Sequence, residues 1–255
     1  MSFQLNEKII VSVWYGPPPE NAPTLFLHEG LGSVSMWKDF PQELSRITGC
    51  GALSYSRLGY GQSEKCELPC QPNFMHKEGL EVLLSIITQF RIQNYILVGH
   101  SDGASIGLIH TGSDYADKLM GMINEAPHVF SESITISSIK KLRENFNSGN
   151  LRVKLEKYHN DIDMSFNGWA DVWLNDEFTY WKIESYLSRI KVPQLIIQRN
   201  DDEYGTSAQV EAIVSQSAGS VKTCFFNNCG HSSHRDQKSK TLDVMNEFVR
   251  NLLNI

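Results

Sequence analysis

YILVGHSDGASIG, residues 95–107, decides how this chain is read. Tyr95 to Gly99 is a β-branched and apolar run with the character of a strand buried on both faces. Small residues then take over, and the segment acquires helical character from Ala104. Gly99-His100-Ser101-Asp102-Gly103 is therefore G-x-S-x-G placed between a strand and a helix. The spacing has a steric basis: a serine on a sharp, strained turn leaves room only for hydrogen at the flanking positions. The bare pattern would arise by chance in roughly one chain in ten of this length. Its placement, not its letters, makes Ser101 the candidate nucleophile.

A serine hydroxyl attacks poorly at neutral pH unless an imidazole takes its proton, and that imidazole needs an acceptor to fix its tautomer. Where G-x-S-x-G forms such a strand–turn–helix elbow, these two partners come from loops after later strands, in the order acid then histidine. Asn200-Asp201-Asp202-Glu203 follows an apolar run at Gln194–Arg199, and Asn227-Asn228-Cys229-Gly230-His231 follows another at Val221–Phe226. His231 is preferred to His234, because Gly230 permits a tight loop and His234 falls at the start of the last helix. Asp202 is preferred to Asp201, Glu203 and Glu125. The Asp102 backbone N–H, at a helix N-terminus, can face a developing oxyanion. Its carboxylate is read as a helix-start group.

Outward from this centre, short apolar runs alternate with helical periods, the pattern of a mostly parallel sheet covered by helices. The expected strands are Lys8–Trp14, Thr24–His28, Ala52–Ser56, Tyr95–Gly99, Leu119–Glu125, Gln194–Arg199 and Val221–Phe226. The expected helices are Trp37–Thr48, Phe74–Phe90, Ala104–Thr111, Ser207–Ser217 and Lys240–Leu253. The fold class is α/β. Residues 128–189 break the alternation, being helical in tendency and rich in aromatics, and read as an inserted helical cap on a core of residues 1–127 and 190–255. His128, Trp169, Trp173 and Trp181 are the candidate pocket residues, since large aromatics supply apolar area and shape. The alternative is that they form the insert's own small core.

A net charge of −6 gives no footprint for nucleic acid or an anionic membrane surface. No stretch approaches the roughly 18 apolar residues of a bilayer span, and the N-terminus lacks a secretory pattern, so a cytoplasmic protein with a small-molecule partner is expected. Five cysteines fit reduced thiols rather than a disulfide framework. Neither Cys66 with Cys70 nor Cys224, Cys229, His231 and His234 has the spacing zinc sites favour, and no metal or cofactor is expected.

With these residues placed, the sequence resembles the α/β-hydrolase superfamily over essentially its whole length. His28-Glu29-Gly30-Leu31-Gly32-Ser33 is similar to the family's H-G-x-x-G-S oxyanion loop, and Tyr55-Ser56-Arg57-Leu58-Gly59-Tyr60-Gly61-Gln62-Ser63 to its D-x-R-G-x-G-x-S segment. The resemblance implies a sheet of the eight-stranded type and assigns the second oxyanion N–H to Gly30. Arg199 stands where the family usually has glycine three residues before its acid. Glu29 stands where it commonly has glycine, and a pairing with Arg57 or a backbone amide is expected to hold that carboxylate off the oxyanion.

The resemblance implies a serine hydrolase working through an acyl-enzyme on Ser101, with small carboxylic esters as the default substrates. Haloalkane dehalogenases and epoxide hydrolases of this superfamily use aspartate at that position and are disfavoured. Thioesterases and C–C bond hydrolases use similar triads and remain alternatives. So does a ligand-binding protein of this fold that has lost turnover.

Overall fold

The computed structural model describes residues 2–5 and 7–255. Its frame is one eight-stranded sheet: β1 (Ser2–Leu5), β2 (Lys8–Tyr15), β3 (Thr24–Leu27), β4 (Ala52–Tyr55), β5 (Tyr95–His100), β6 (Leu119–Glu125), β7 (Gln194–Arg199) and β8 (Val221–Phe226). The strands lie in the order β1-β2-β4-β3-β5-β6-β7-β8. β1 and β2 pair antiparallel, as do β2 and β4, and every later pairing is parallel. The helices are α1 (Phe40–Thr48), α2 (Phe74–Lys77), α3 (Leu83–Gln89), α4 (Asp102–Thr111), α5 (Ser133–Asn147), α6 (Asn150–Glu156), α7 (Ile162–Trp173), α8 (Glu184–Leu187), α9 (Ser207–Gln216), α10 (Ser233–Asp236) and α11 (Lys238–Leu253).

The two faces of the sheet follow from the period of two along each strand. Leu25 and Leu27 of β3, Leu97 of β5 and Ile196 of β7 pack with Ile86, Ile106 and Ile109 on one face. Their sequence neighbours Phe26, Ile96, Val98, Leu195 and Ile197 pack with Phe40, Leu44, Met245 and Phe248 of α1 and α11 on the other. A strand covered on both sides has no polar stripe, which is why the central strands are continuous apolar runs.

All seven expected strands are present, and β1 is an eighth. It is a short edge strand of half-exposed residues held by one antiparallel partner, so it carries no buried run to read. Between α2 and α3 the helix widens to a π turn over Glu78–Val82. There the Gly79 carbonyl accepts from His110 Nδ1 of α4 at 2.8 Å.

Residues between β6 and β7 contribute α5 to α8 and no named strand. Their entry and exit run side by side through an isolated bridge from Phe130 to Lys182. Ser131 N donates to Trp181 O at 3.0 Å, and Ile183 N to Val129 O at 2.8 Å. Gln209 of α9 braces this stalk, accepting from Val129 N at 2.7 Å and donating to Phe130 O at 3.0 Å.

Candidate active site

Ser101 sits at the junction of β5 and α4 with φ 52° and ψ −118°, a conformation that costs a non-glycine residue free energy. Its neighbours explain the glycines. A Cβ on Gly99 would lie 2.5 Å from the Ala104 Cα, and one on Gly103 would lie 2.0 Å from the Leu27 carbonyl oxygen. The turn is held from below by Ser101 N donating to Glu125 O at 2.9 Å.

The loops after β7 and β8 meet each other, and the second reaches the turn through His100, whose Nε2 lies 3.1 Å from the His231 carbonyl. His231 Nδ1 lies 2.9 Å from each carboxylate oxygen of Asp202. Asp202 Oδ1 also accepts from Tyr204 N at 2.9 Å. Burial alone would raise the Asp202 pKa, but the bonds from His231 and Tyr204 hold it below its ordinary value. A carboxylate so placed makes Nδ1 the protonated nitrogen and leaves Nε2 as the free base. Among the described residues, the Ser101 hydroxyl has no hydrogen-bond partner.

The rival candidates are placed elsewhere. Glu125 accepts from Ser233 Oγ at 2.7 Å and from His234 Nδ1 at 2.9 Å, so it serves the histidine of α10. Glu203 pairs with Arg199, and Asp201 is exposed.

Glu29 departs from expectation. Its carboxylate lies 3.5 Å from His100 Nδ1, and Arg57 is engaged otherwise, donating to the carbonyls of His28, Glu29 and Gly30 at 3.0, 3.1 and 3.5 Å. The guanidinium therefore shapes the backbone of the loop at residues 28–30 and leaves the Glu29 side chain to the histidine beneath it. His28 completes that loop in a neutral form, donating from Nδ1 to Glu29 O and accepting at Nε2 from Arg57 N. Burial is the main cause of its lowered pKa.

Asp102 opens α4, as read from the sequence, but its side chain is enclosed: the residue is 2% exposed. Oδ2 accepts from Trp169 Nε1 at 3.0 Å and from Trp173 Nε1 at 3.5 Å. Burial raises its pKa to about 6, against the opposing pull of Arg57 and the two indoles.

His128, Trp169, Trp173 and Trp181 are all buried. The Trp173 ring lies 5.6 Å from His128 and 5.7 Å from Trp181, and the His128 ring lies 6.1 Å from His231. Trp169 packs with Phe166 and Trp173 with Phe178, the arrangement expected of the core reading. Sequence reasoning missed His159 and Ser165. His159 Nε2 donates to Leu31 O at 3.0 Å while its Nδ1 accepts from Gly61 N, and Ser165 Oγ donates to Gly59 O. These contacts fasten the insert to both motif loops.

Ligand atoms of His100, Glu125 and His234 lie within 4.8 Å of one another, but Glu125 is already saturated by Ser233 and His234, and the cluster reads as ion-paired. A groove of about 600 Å³ lies at the seam between residues 59–66 and the insert. Ser101, Asp202 and His231 are absent from its walls.

Parallel strands carrying a positive-φ serine after β5 and an acid and a histidine after β7 and β8 define one architecture. The chain has the α/β-hydrolase fold. Solved structures agree over nearly the whole chain. An esterase from Exiguobacterium antarcticum matches at a TM-score of 0.75 and 17% identity, covering 95% of this chain and 96% of its own. A proline iminopeptidase from Mycobacterium smegmatis matches at 0.73 and 15%, covering 99% and 98%. A membrane phospholipase A matches at 0.81 and 14%, covering 100% and 86%. No protein-family model and no curated protein matches the sequence. Among the described residues, no helix of this α/β-hydrolase fold is long and apolar enough to cross a membrane.

Proposed function

We propose that this protein is a serine hydrolase acting on a small carboxylic ester, with Ser101 as nucleophile, His231 as general base and Asp202 as the group that orients it. One observation carries the reading: the strained turn that holds Ser101 also holds His100, whose Nε2 lies 3.1 Å from the carbonyl of His231, and the Nδ1 of that His231 is committed to a buried Asp202. Strain of this kind survives only where the surroundings enforce it, and it clusters at reacting groups.

The reaction runs in two halves. Ser101 Oγ attacks the ester carbonyl as His231 Nε2 accepts its proton, and the carbonyl π electrons move to oxygen. The backbone N–H groups of Gly30 and Asp102 receive that oxyanion, each worth on the order of 3 kcal/mol in the transition state. Collapse expels the alcohol, which takes the proton from His231 and leaves an acyl-serine. Water then repeats the sequence, giving its proton to His231, releasing the carboxylic acid and restoring Ser101. Residues 128–189 act as a cap that closes over the acyl group and excludes bulk water. The partner is a small molecule, and the chemistry requires no cofactor.

A fluorophosphonate probe tests the assignment. The native protein should be labelled stoichiometrically and Ser101→Ala not at all. A folded native protein that resists labelling and hydrolyses no aryl ester would instead be a ligand-binding member of the fold.

A further inference from the structure

Asp102 brings a backbone N–H and a carboxylate to the same place, and the carboxylate is only half satisfied. Both indole N–H groups converge on Oδ2, whereas among the described residues nothing donates to Oδ1. The residue is 2% exposed, yet Oδ1 is not one of the fully enclosed unpaired side-chain atoms, so the little surface the residue keeps includes this acceptor. Its location ties it to the acyl site. A Cβ on Gly30 would sit 2.1 Å from Trp169 Nε1, so the indole that holds Oδ2 lies against the oxyanion loop itself. Arg57 moderates the negative charge, yet its nearby nitrogens donate to three backbone carbonyls and none donates to Asp102. The charge therefore has a counterion, and what Oδ1 lacks is a donor.

From this geometry we infer that the substrate's acyl group carries a hydroxyl on the first or second carbon from the scissile carbonyl, and that Asp102 Oδ1 accepts its hydrogen bond. The short reach follows from one residue supplying both the oxyanion N–H and the acceptor. A neutral hydroxyl fits better than an ammonium, because Arg57 already balances the carboxylate. The inference rests on the serine-hydrolase reading and narrows its substrates.

The test compares p-nitrophenyl esters of propanoate, 2-hydroxypropanoate, butanoate, 3-hydroxybutanoate and alanine on the native protein and on Asp102→Asn. A hydrogen bond to a carboxylate predicts that kcat/KM for at least one hydroxyacyl ester exceeds that of its unsubstituted partner by ten- to a hundredfold. Asp102→Asn should reduce that ratio at least tenfold, whatever happens to the absolute rate. Equal rates on hydroxylated and plain esters of the native enzyme would overturn the inference even if the variant fails to fold. So would an alanine ester that outruns both hydroxyacyl esters, or a ratio unchanged in a folded Asp102→Asn. Ester turnover with no hydroxyl preference leaves Ser101 chemistry standing, whereas absent labelling and absent turnover remove both.

Discussion

His100 is fully buried with acceptors on both sides of its ring: the His231 carbonyl 3.1 Å from Nε2 and the Glu29 carboxylate 3.5 Å from Nδ1. A doubly protonated ring would donate to the carbonyl and form an ion pair, not a hydrogen bond, with the carboxylate. Burial opposes that form, but Glu125, Glu29 and the His231 carbonyl override it and push the pKa to about 9. The ring so placed bridges the loop that carries Glu29 and the loop that carries the proposed base. Glu29→Gln keeps an acceptor facing His100 and leaves Glu125 to balance its charge, so kcat/KM on an aryl ester should stay within about tenfold. A loss of about a hundredfold or more, the size of a removed oxyanion donor, would place Glu29 in the chemistry itself. His128 behaves oppositely. Burial, aided by the charge of His231, lowers it from 6.5 to about 4. Between those values the unfolded chain binds a proton that the folded chain refuses, so this residue withdraws stability as pH falls from about 6.5 toward 4. Its contribution is on the order of 2 to 3 kcal/mol. Urea unfolding of His128→Gln at pH 7 and pH 4.5 should show a smaller acid-induced loss than the native chain, and equal losses would count against it.

The β5–α4 turn shows at the level of elements what the glycines accomplish. Gly103→Ala would drive a methyl group to within 2.0 Å of the Leu27 carbonyl, and backbone cannot yield as a side chain can. Separating β3 from α4 to admit it should cost on the order of 3 kcal/mol or more. The expected outcome is a fall in melting temperature of several degrees together with lost fluorophosphonate labelling; a variant that melts and labels like the native chain would show the turn to be slack. Such local crowding is legible in sequence because strand, turn and helix are contiguous. The bonds that Trp169 and Trp173 donate to Asp102 are not, since they span 67 and 71 positions and depend on how α7 settles over the sheet. The Glu29 partner was misjudged for the same reason: Arg57 is the obvious cation nearby, but its fork fits the carbonyls of the loop better than the carboxylate.

Across the whole molecule, the sheet was readable where strands are covered on both faces and faint where they are not. β5, β6 and β7 announce themselves through unbroken apolar runs, whereas β1 pairs on one edge and is half exposed. The meeting of Asp202 and His231 could be anticipated because parallel strands deliver their following loops to one rim of the sheet. How residues 128–189 pack could not, because their aromatic pattern serves an internal core and a pocket wall equally well. The isolated bridge from Phe130 to Lys182, with Ser131 joined to Trp181 and Val129 to Ile183, gives that stretch neighbouring ends. Ends that already touch make the loop between them an exchangeable module. A foreign helical hairpin spliced between the same two anchors would demand no rearrangement of the sheet, provided it replaced the bonds that His159 and Ser165 make to the loops below and that Trp169 and Trp173 make to Asp102.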